Sequence, residues 1–333
     1  MINEKVLLLC PKFFGYEYKI YSKIKELNYD ADLIIDTPSA NSLLKGLIRL
    51  FRPLFKTYLY RKFTYSLNNI GNKQYNKILI VKGEYISEDI IFTLRYKYPD
   101  AEIIYYNWDS IKNSKYASKI ISLVDRAYTF DPIDAERVSK LSLLPLFYID
   151  EYRSVKDSSC ENIKYDICFI GTARKGRFEY INNIFRHFSS SGNSLYFHIY
   201  LQSRFNHFIN RILIKGYNAF DKNFLSYTPL SSAQVKEVFD LSRAILDIQH
   251  PSQSGLTIRT LECLASNKKL ITTNDKIKDY DFYNKNNIFI LKNDNSHELV
   301  DFINISYVSI SEDLVNKYSL DSWVKTILGD RNG

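Results

Sequence analysis

One stretch of the chain carries side chains suited to binding a phosphorylated ligand. A polar loop over residues 250–255 leads into a predicted helix over 257–265, which carries Arg259 and Glu262. Residues three apart share one face of a helix, so these two side chains lie together. The unpaired N–H groups at a helix N-terminus attract an anion, and an arginine adds a forked contact to phosphate. A carboxylate accepts hydrogen bonds from two hydroxyls, such as those of a ribose. The alternative is a surface Arg–Glu pair on an ordinary helix.

Two successive α/β regions position this stretch. Residues 1–150 alternate short apolar strands with helices, which predicts a parallel sheet covered by helices on both faces. Residues 151–163 are polar and charged, and they predict a linker. The alternation restarts with a strand over 165–171. Two doubly wound halves predict a cleft lined by the carboxyl ends of both sheets.

Length and composition exclude several classes of protein. The 333 residues correspond to roughly two domains, and 45% hydrophobic with 25% charged residues is ordinary for a globular chain. Disorder, collagen and coiled coil are excluded as the dominant state. No signal peptide and no run of about 18 apolar residues are found, so we expect a cytoplasmic protein without a membrane span. The spacing of the four cysteines fits no zinc pattern and predicts reduced, buried thiols; they are Cys10, Cys160, Cys168 and Cys263.

The positive charge is concentrated in one segment. Between Asp36 and Glu84 there are nine basic residues and no acidic one, so the rest of the chain has a net charge of −1 against the total of +8. On a helix, an apolar stripe opposes a row of bases, and Pro53 predicts two helices or a kink. The stripe consists of Leu43, Leu47, Leu50, Phe51, Leu54 and Tyr58, and the opposing bases are Lys45, Arg49, Arg52 and Lys56.

Such a basic amphipathic segment predicts contact with an anionic membrane surface, through the four bases. The alternative is a helix packed on its own domain with a solvated basic face. Nucleic acid is disfavoured as a partner, because no nucleic-acid-binding motif accompanies the bases.

The chain resembles a known enzyme family. The stretch SGLTIRTLECLASNKKLITT at 254–273 resembles the donor-binding element of GT-B fold glycosyltransferases, especially those of bacterial surface polysaccharide synthesis. Further similar pieces cover most of the chain in the family's order: KVLLLCPKFFGYEYKIYSKIKELNYDADLI, IIYYNWDS, AYTFDPIDAERV, YDICFIGTARKGRFEYI and YSLDSWVKTIL. The resemblance implies two Rossmann-like domains that face each other across a cleft. The acceptor domain would span 1–150 and the donor domain 164–318, with a closing helix in 319–333 that can pack back on the first domain.

The resemblance also implies roles for particular residues. Glu262 matches the glutamate that holds the ribose, and Arg259 matches a basic residue that meets the diphosphate. The loop after the first strand of the donor domain matches loosely, although its two arginines can equally be solvated. The full set of implied donor-binding residues is Gly171, Thr172, Arg174, Arg177, His250, Ser254, Gly255, Leu256, Thr257, Arg259 and Glu262. For His250 a purely structural role is the alternative.

One departure from the family leaves the stereochemistry open. Many retaining members carry two glutamates separated by seven residues, and the first of them would fall on Ser254. If the reaction inverts, a base must take the proton of the acceptor hydroxyl. Asp109, which follows a predicted strand, is the first candidate and Glu17 the second. The alternative for Asp109 is a turn cap on Ser110.

No metal or cofactor is expected. The two Asp-X-Asp motifs, Asp30–Asp32 and Asp279–Asp281, do not directly follow a predicted strand as a metal–diphosphate site would. Positive side chains and a helix dipole can stabilise the leaving diphosphate instead.

The expected function is therefore transfer of a sugar from a nucleotide-diphosphate sugar to a lipid-linked or oligosaccharide acceptor. The setting would be capsule, O-antigen or lipopolysaccharide synthesis at the inner face of the cytoplasmic membrane. A nucleotide-sugar epimerase of the same fold is the alternative enzyme, although it would not need the basic segment. A catalytically inactive, membrane-associated scaffold of polysaccharide assembly is the alternative from another class.

Overall fold

The chain folds into two compact units in a computed structural model. The first unit contains Met1–Leu146, Ser252–Gly255 and Leu320–Gly333, and the second contains Phe147–Pro251 and Leu256–Ser319. The structure describes residues 4–38, 42–113, 116–154, 163–174, 176–189, 192–201, 204–213, 217, 222–292 and 294–329.

The first unit is built on a six-stranded sheet in which every pairing is parallel, in the order β2-β1-β3-β4-β5-β6. The order reverses between β1 and β3, and ligands of such sheets bind outside the carboxyl ends at that switch point. The strands are β1 Lys5–Cys10, β2 Asp30–Ile35, β3 Lys77–Val81, β4 Glu102–Asn107, β5 Arg126–Thr129 and β6 Leu141–Leu143. The helices are α1 Tyr16–Glu26, α2 Ser42–Leu50, α3 Lys56–Asn69, α4 Glu88–Lys97, α5 Ala117–Leu123, α6 Pro132–Arg137 and, last in the chain, α13 Leu320–Leu328.

The first unit's central strands are buried on both sides. Leu7, Ile80 and Ile103 are fully buried in one apolar cluster, as expected for parallel strands covered by helices on both faces. The closing helix α13 packs on α1, and the Trp323 ring lies 4.8 Å from the Tyr106 ring. The last helix of the chain thus completes the first unit.

The second unit repeats this architecture with the strand order β12-β11-β10-β7-β8-β9, again with parallel pairing throughout. Its switch point lies between β7 and β10. The strands are β7 Tyr165–Thr172, β8 Leu195–Tyr200, β9 Leu225–Ser226, β10 Ser242–Asp247, β11 Lys269–Thr272 and β12 Ile288–Ile290. The helices are α7 Arg177–Ser189, α8 Arg204–Leu213, α9 Ser232–Asp240, α10 Ile258–Ala265, α11 Leu299–Asn304 and α12 Glu312–Asn316.

The predicted fold class, two doubly wound α/β domains, is confirmed by these two sheets. Ser231 caps α9 as predicted, in a reciprocal capping box with Gln234. The first unit ends at Leu146 rather than at 150, and Ser252–Gly255 from the middle of the chain also belongs to it. The predicted linker begins with a short 3-10 turn over Asp150–Tyr152, and residues 155–162 lie outside the described residues.

Candidate functional site

The carboxyl ends of β7 and β10 meet at the switch point of the second unit, and Arg177 ties them together. Its Nη1 donates to the carbonyl oxygen of Thr172 at 3.0 Å, and its Nη2 donates to that of Ile248 at 3.1 Å. Burial lowers the pKa of Arg177 to about 10, and the charges of Arg174 and Arg259 add to the lowering, whereas Asp247 opposes it. Arg174 and Arg259 are therefore close enough to Arg177 for their charges to act on it.

The glycine before the loop leaves the space that Arg177 needs. A Cβ on Gly171 would lie 2.7 Å from the Phe169 ring and 3.1 Å from Nη1 of Arg177. Any side chain at this position would therefore force the Phe169 ring to move and would press against the Arg177 guanidinium. Arg174, two residues beyond the end of β7, is exposed.

The N-terminus of α10 is anchored to the end of β10 by Asp247. Its Oδ2 accepts hydrogen bonds from Thr257 Oγ1 at 2.5 Å and from Thr260 Oγ1 at 2.9 Å. Thr257 caps the helix by accepting the N–H of Thr260 at 3.2 Å. The predicted role of Thr257 was donor binding, whereas the structure engages its hydroxyl in capping. Asp247 was missed by the sequence analysis, although an aspartate closing an apolar strand is a recognisable signal.

Arg259 and Glu262 form an ion pair inside the second unit. Nη1 of Arg259 lies 2.7 Å from Oε2 of Glu262, and the side chain of Glu262 is only 3% exposed. The guanidinium lies 5.0 Å from the ring centroid of Phe239. Burial raises the pKa of neighbouring Tyr152, and the Glu262 carboxylate adds to this rise. The pair is therefore not the surface pair of the alternative interpretation, and a nucleotide that used both side chains would have to exchange their mutual hydrogen bond for its own.

Ser254 and Gly255 pack within the first unit. The N–H of Ser254 donates to Oδ2 of Asp131 at 2.9 Å, and its hydroxyl also contacts the Asp131 carboxylate. A Cβ on Gly255 would overlap the carbonyl oxygen of Phe130. The close approach that this glycine permits is therefore to protein backbone, whereas the sequence predicted an approach to ligand. Leu256, the next residue, is buried, and His250 is half-buried.

The two candidate bases differ in how they are held. Oδ1 of Asp109 accepts hydrogen bonds from Ser110 N at 2.9 Å, Asn113 Nδ2 at 3.0 Å and Gln253 Nε2 at 2.8 Å. This oxygen is engaged in the turn, as the capping alternative requires, so a proton-accepting role would fall on Oδ2. Glu17 is buried, and its Oε2 accepts the N–H of Phe13 at 2.9 Å. Its Oε1 has no hydrogen-bond partner among the described residues. The base assignment stays a prediction.

The basic segment breaks at Pro53 as predicted, between α2 and α3, with a 3-10 turn over Arg52–Phe55. The prediction that Arg52 contacts a membrane is wrong, because this residue is 9% exposed. Its Nη2 donates to the carbonyl oxygen of Ile86 at 2.5 Å, and its guanidinium lies 3.8 Å from the centroid of the Tyr116 ring. Burial also lowers its pKa.

Of the other three bases predicted to contact a membrane, only Lys56 has a described side chain. Lys56 is exposed but forms an ion pair with Asp89 at 2.7 Å. The side chains of Lys45 and Arg49 lie outside the described part of the chain. The described part of the apolar stripe is exposed instead: Leu50 is 77% and Leu54 is 81% accessible, and Leu47, Phe51 and Tyr58 are exposed as well. The side chain of Leu43 lies outside the described residues.

The two Asp-X-Asp motifs are engaged by protein side chains. Asp32 accepts hydrogen bonds from Lys73 and Tyr75, and Asp281 accepts hydrogen bonds from Lys317 and Tyr318. Independence from metal stays a prediction. Cys10, Cys168 and Cys263 are buried free thiols, as predicted, and Cys160 lies outside the described residues.

Solved structures with the same architecture are numerous at low sequence identity. Anabaena HepE, solved with UDP and glucose, has a TM-score of 0.63 at 10% identity, with 99% of each chain covered. The chain has the GT-B fold. AviGT4, a glycosyltransferase involved in avilamycin A biosynthesis, has a TM-score of 0.56 at 8% identity, covering 98% of this chain and 96% of its own. The UDP-GlcNAc 2-epimerase of Methanocaldococcus jannaschii, solved with UDP-GlcNAc and UDP, has a TM-score of 0.57 at 8% identity, covering 98% and 99%.

A scan against protein-family models and a search of curated proteins both found no match. None of the helices in the described ranges has the length and apolar character that a membrane span needs.

Proposed function

We propose that the chain is a glycosyltransferase that binds a nucleotide-diphosphate sugar at the switch point of its second unit. The observation that carries this proposal is that Arg177 joins the carboxyl ends of β7 and β10 by its two backbone hydrogen bonds, with Arg174 and Arg259 near enough for their charges to act on it. Three cations and a helix N-terminus suit a diphosphate. The solved GT-B structures with bound UDP or UDP-sugars support the same ligand class.

The arginines would have different tasks in the reaction. Arg177 holds the two loops, because both of its terminal nitrogens are bound to backbone carbonyls. Arg174 is exposed and can contact phosphate directly, and Arg259 can turn from Glu262 to the phosphate when Glu262 accepts the ribose hydroxyls. As the bond between the sugar's anomeric carbon and the phosphate oxygen breaks, the nucleoside diphosphate leaves with the electron pair. Cations placed where this charge develops lower the barrier.

The acceptor is proposed to be a growing glycan or a lipid-linked saccharide of bacterial surface polysaccharide synthesis, reached from the inner face of the membrane. The exposed apolar side chains around Leu50 and Leu54 support a membrane-bound acceptor, because they lie in a segment with nine bases and no acid. Arg52 is buried, so the exposed leucines of this segment are the side chains proposed to insert into the membrane.

A nucleotide-sugar epimerase is the second candidate function. Two structures named as UDP-GlcNAc 2-epimerases, one of them putative, share the fold with TM-scores of 0.57 and 0.55. Incubation with UDP-GlcNAc alone distinguishes the two candidates. An epimerase changes the configuration of the sugar without an acceptor, whereas a glycosyltransferase releases UDP at a rate that depends on the acceptor.

The test of the proposal is calorimetric titration with UDP, GDP, dTDP and CMP. We expect one of these nucleotides to bind, and Arg174→Ala to weaken the binding about 10- to 100-fold, which corresponds to the loss of one hydrogen bond to a charged group. The matched control is Arg243→Ala, an exposed arginine at the opposite, amino end of β10. If the two variants weaken binding equally, or if no nucleotide binds, the proposed site is wrong.

A further inference from the structure

Helix α8 of the second unit exposes a face that contains none of the residues of the proposed donor site. The exposed side chains described in this helix are Arg204, Phe208, Arg211 and Ile212. Phe208 is 59% accessible and Ile212 is 65% accessible. Residues separated by four, seven and eight positions lie on one side of a helix. Two cationic and two apolar side chains therefore share one exposed surface, which we call the α8 face.

Helix α8 is held to the second unit through His207, which is half-buried. The hydroxyl groups of Tyr217 and Tyr227 lie 3.4 and 3.2 Å from the Nδ1 atom of His207. Tyr217 is itself buried, and its ring packs edge-on against the ring of Phe178, with 4.8 Å between the two centroids. The helix is thus anchored by a side chain outside the α8 face, and that face is directed to solvent.

The stretch of chain around α8 carries only positive formal charge. Between Glu179 and Asp221 the sequence has no acidic residue and four basic ones, which are Arg186, Arg204, Arg211 and Lys215. A comparable acid-free stretch lies between Asp36 and Glu84, but that one belongs to the first unit. An anionic surface that approaches the α8 face therefore meets cations without repulsion from a carboxylate of the same stretch.

The α8 face suits a lipid surface better than a protein partner. A large side chain buries at most about 250 Å², so Phe208 and Ile212 supply less than about 500 Å² of apolar contact. A stable protein interface buries about 800 Å² on each partner. A lipid surface requires no matching area, because apolar side chains enter the boundary between headgroups and acyl chains one by one. Arginine stems lie along apolar surface while their charged ends reach the headgroups.

We propose that the α8 face binds an anionic lipid surface, so that the second unit has a membrane contact of its own. Phe208 and Ile212 insert at the boundary between headgroups and acyl chains, and Arg204 and Arg211 contact the anionic headgroups. The helix, about 15 Å long, lies in the plane of the membrane surface. This contact uses neither nucleotide nor catalysis, so it is independent of the proposed enzymatic activity.

The test measures binding of the full chain to lipid vesicles by co-sedimentation. The vesicles contain phosphatidylcholine alone or with about 30% phosphatidylglycerol, at about 0.1 M and about 0.5 M salt, because salt screens surface charge. The starting protein carries Leu50→Ser and Leu54→Ser, which weaken attachment through the first unit. Phe208→Ser with Ile212→Ser then removes the apolar part of the α8 face, and Arg204→Gln with Arg211→Gln removes its charge.

Matched controls change the same kinds of side chain elsewhere on the second unit. Ile305→Ser with Val308→Ser replaces two exposed apolar residues, and Arg243→Gln with Lys278→Gln replaces two exposed cations.

We expect loss of the two apolar side chains of the α8 face to lower the partition coefficient about 10- to 100-fold on anionic vesicles. Loss of the two arginines should lower it about 10- to 30-fold on anionic vesicles at the lower salt concentration and leave neutral vesicles unaffected. Both control variants should bind as the starting protein does.

Phe208→Trp reports insertion directly and keeps an aromatic side chain at this position. Both native tryptophans, Trp108 and Trp323, belong to the first unit, so the starting protein supplies the background emission. With vesicles whose acyl chains are brominated, we expect the additional emission of Phe208→Trp to be quenched about twofold or more, since the ring reaches the acyl boundary.

The proposal is overturned if the starting protein does not bind anionic vesicles, if the α8 variants bind as well as their controls, or if the emission of Phe208→Trp is not quenched. Sedimentation velocity tests the alternative occupant. Weakened self-association of Phe208→Ser with Ile212→Ser, without loss of vesicle binding, would make the α8 face an interface between copies of the chain and overturn the proposal. Calorimetry with UDP on the same samples tests the donor site separately, because the vesicle measurements contain no nucleotide.

Discussion

Replacing Asp36 by asparagine should stabilise the first unit above neutral pH. The side chain is isosteric, so the substitution removes a buried charge without opening a cavity. The pKa of Asp36 is raised from 3.8 to about 7 in the folded chain, mainly by burial. A pKa difference of about three corresponds to about 4 kcal/mol, which is the upper limit of the gain.

The pH range of the effect follows from the direction of the shift. Below about pH 3, well under the ordinary pKa of 3.8, the carboxyl group is protonated in both the folded and the unfolded chain, so it causes no difference in stability between the two proteins. As the pH rises to about 7, the unfolded chain loses this proton and the folded chain keeps it, which favours unfolding. Above pH 7 the penalty is constant. The wild type should therefore lose about 2 to 4 kcal/mol between pH 4 and pH 8 that Asp36→Asn does not lose.

Tryptophan fluorescence during urea unfolding measures this difference in the right part of the molecule. The chain has two tryptophans, Trp108 and Trp323, and both belong to the first unit. Asp100→Asn, at an exposed position, is the control and should follow the wild type. If Asp36→Asn is less stable than the wild type at pH 8, the carboxylate has a structural partner and the reasoning is refuted.

Three further predictions concern separate parts of the molecule. Asp109→Asn should lower turnover about 10²- to 10⁴-fold with nucleotide affinity unchanged if Asp109 is the base; near wild-type turnover in a steady-state assay excludes it. Replacing Leu50 and Leu54 together by serine should lower the partition coefficient onto anionic vesicles, measured by co-sedimentation, about 100- to 1000-fold, since each leucine that inserts into the membrane contributes about 2 kcal/mol. The control Tyr96→Ser changes a residue of α4 that is 91% exposed, and it should have no effect. Gly255→Ala should destabilise the first unit by about 1 to 3 kcal/mol in the fluorescence assay, because its methyl group overlaps a backbone carbonyl; unchanged stability would show that the loop can move aside.

The sequence predicted the strands of both sheets other than β9, because parallel strands covered on both faces are apolar throughout. Val6 to Leu9 and Ala244 to Leu246 are buried runs of this kind. Ser231 and Pro53 were also informative, since one supplies a cap and the other cannot continue a helix. The strand β9 was missed because two residues are too few to show an alternating pattern. The helix α8 was missed although Phe205, Phe208 and Ile212 recur at helical spacing in its sequence.

The site was less predictable, because side-chain direction depends on breaks in the backbone. A helical projection places Arg52 opposite the leucines only if the helix is continuous. The helix is interrupted before Pro53, so the angular spacing of side chains along it changes at this point. Arg52 therefore faces the protein interior and is buried. Asp36 gave no signal in the sequence either, since its unsatisfied carboxylate depends on what packs around the end of β2. Similarly, no periodicity shows that Ser254 binds Asp131, 123 residues earlier in the chain.

A crystal structure of the chain with UDP tests the central claim most directly. We predict that the diphosphate lies at the N-terminus of α10 within hydrogen-bond distance of Arg174, with the Arg259–Glu262 ion pair opened and Glu262 on the ribose. A nucleotide bound elsewhere, or one bound with the ion pair intact and no arginine on the diphosphate, would contradict it.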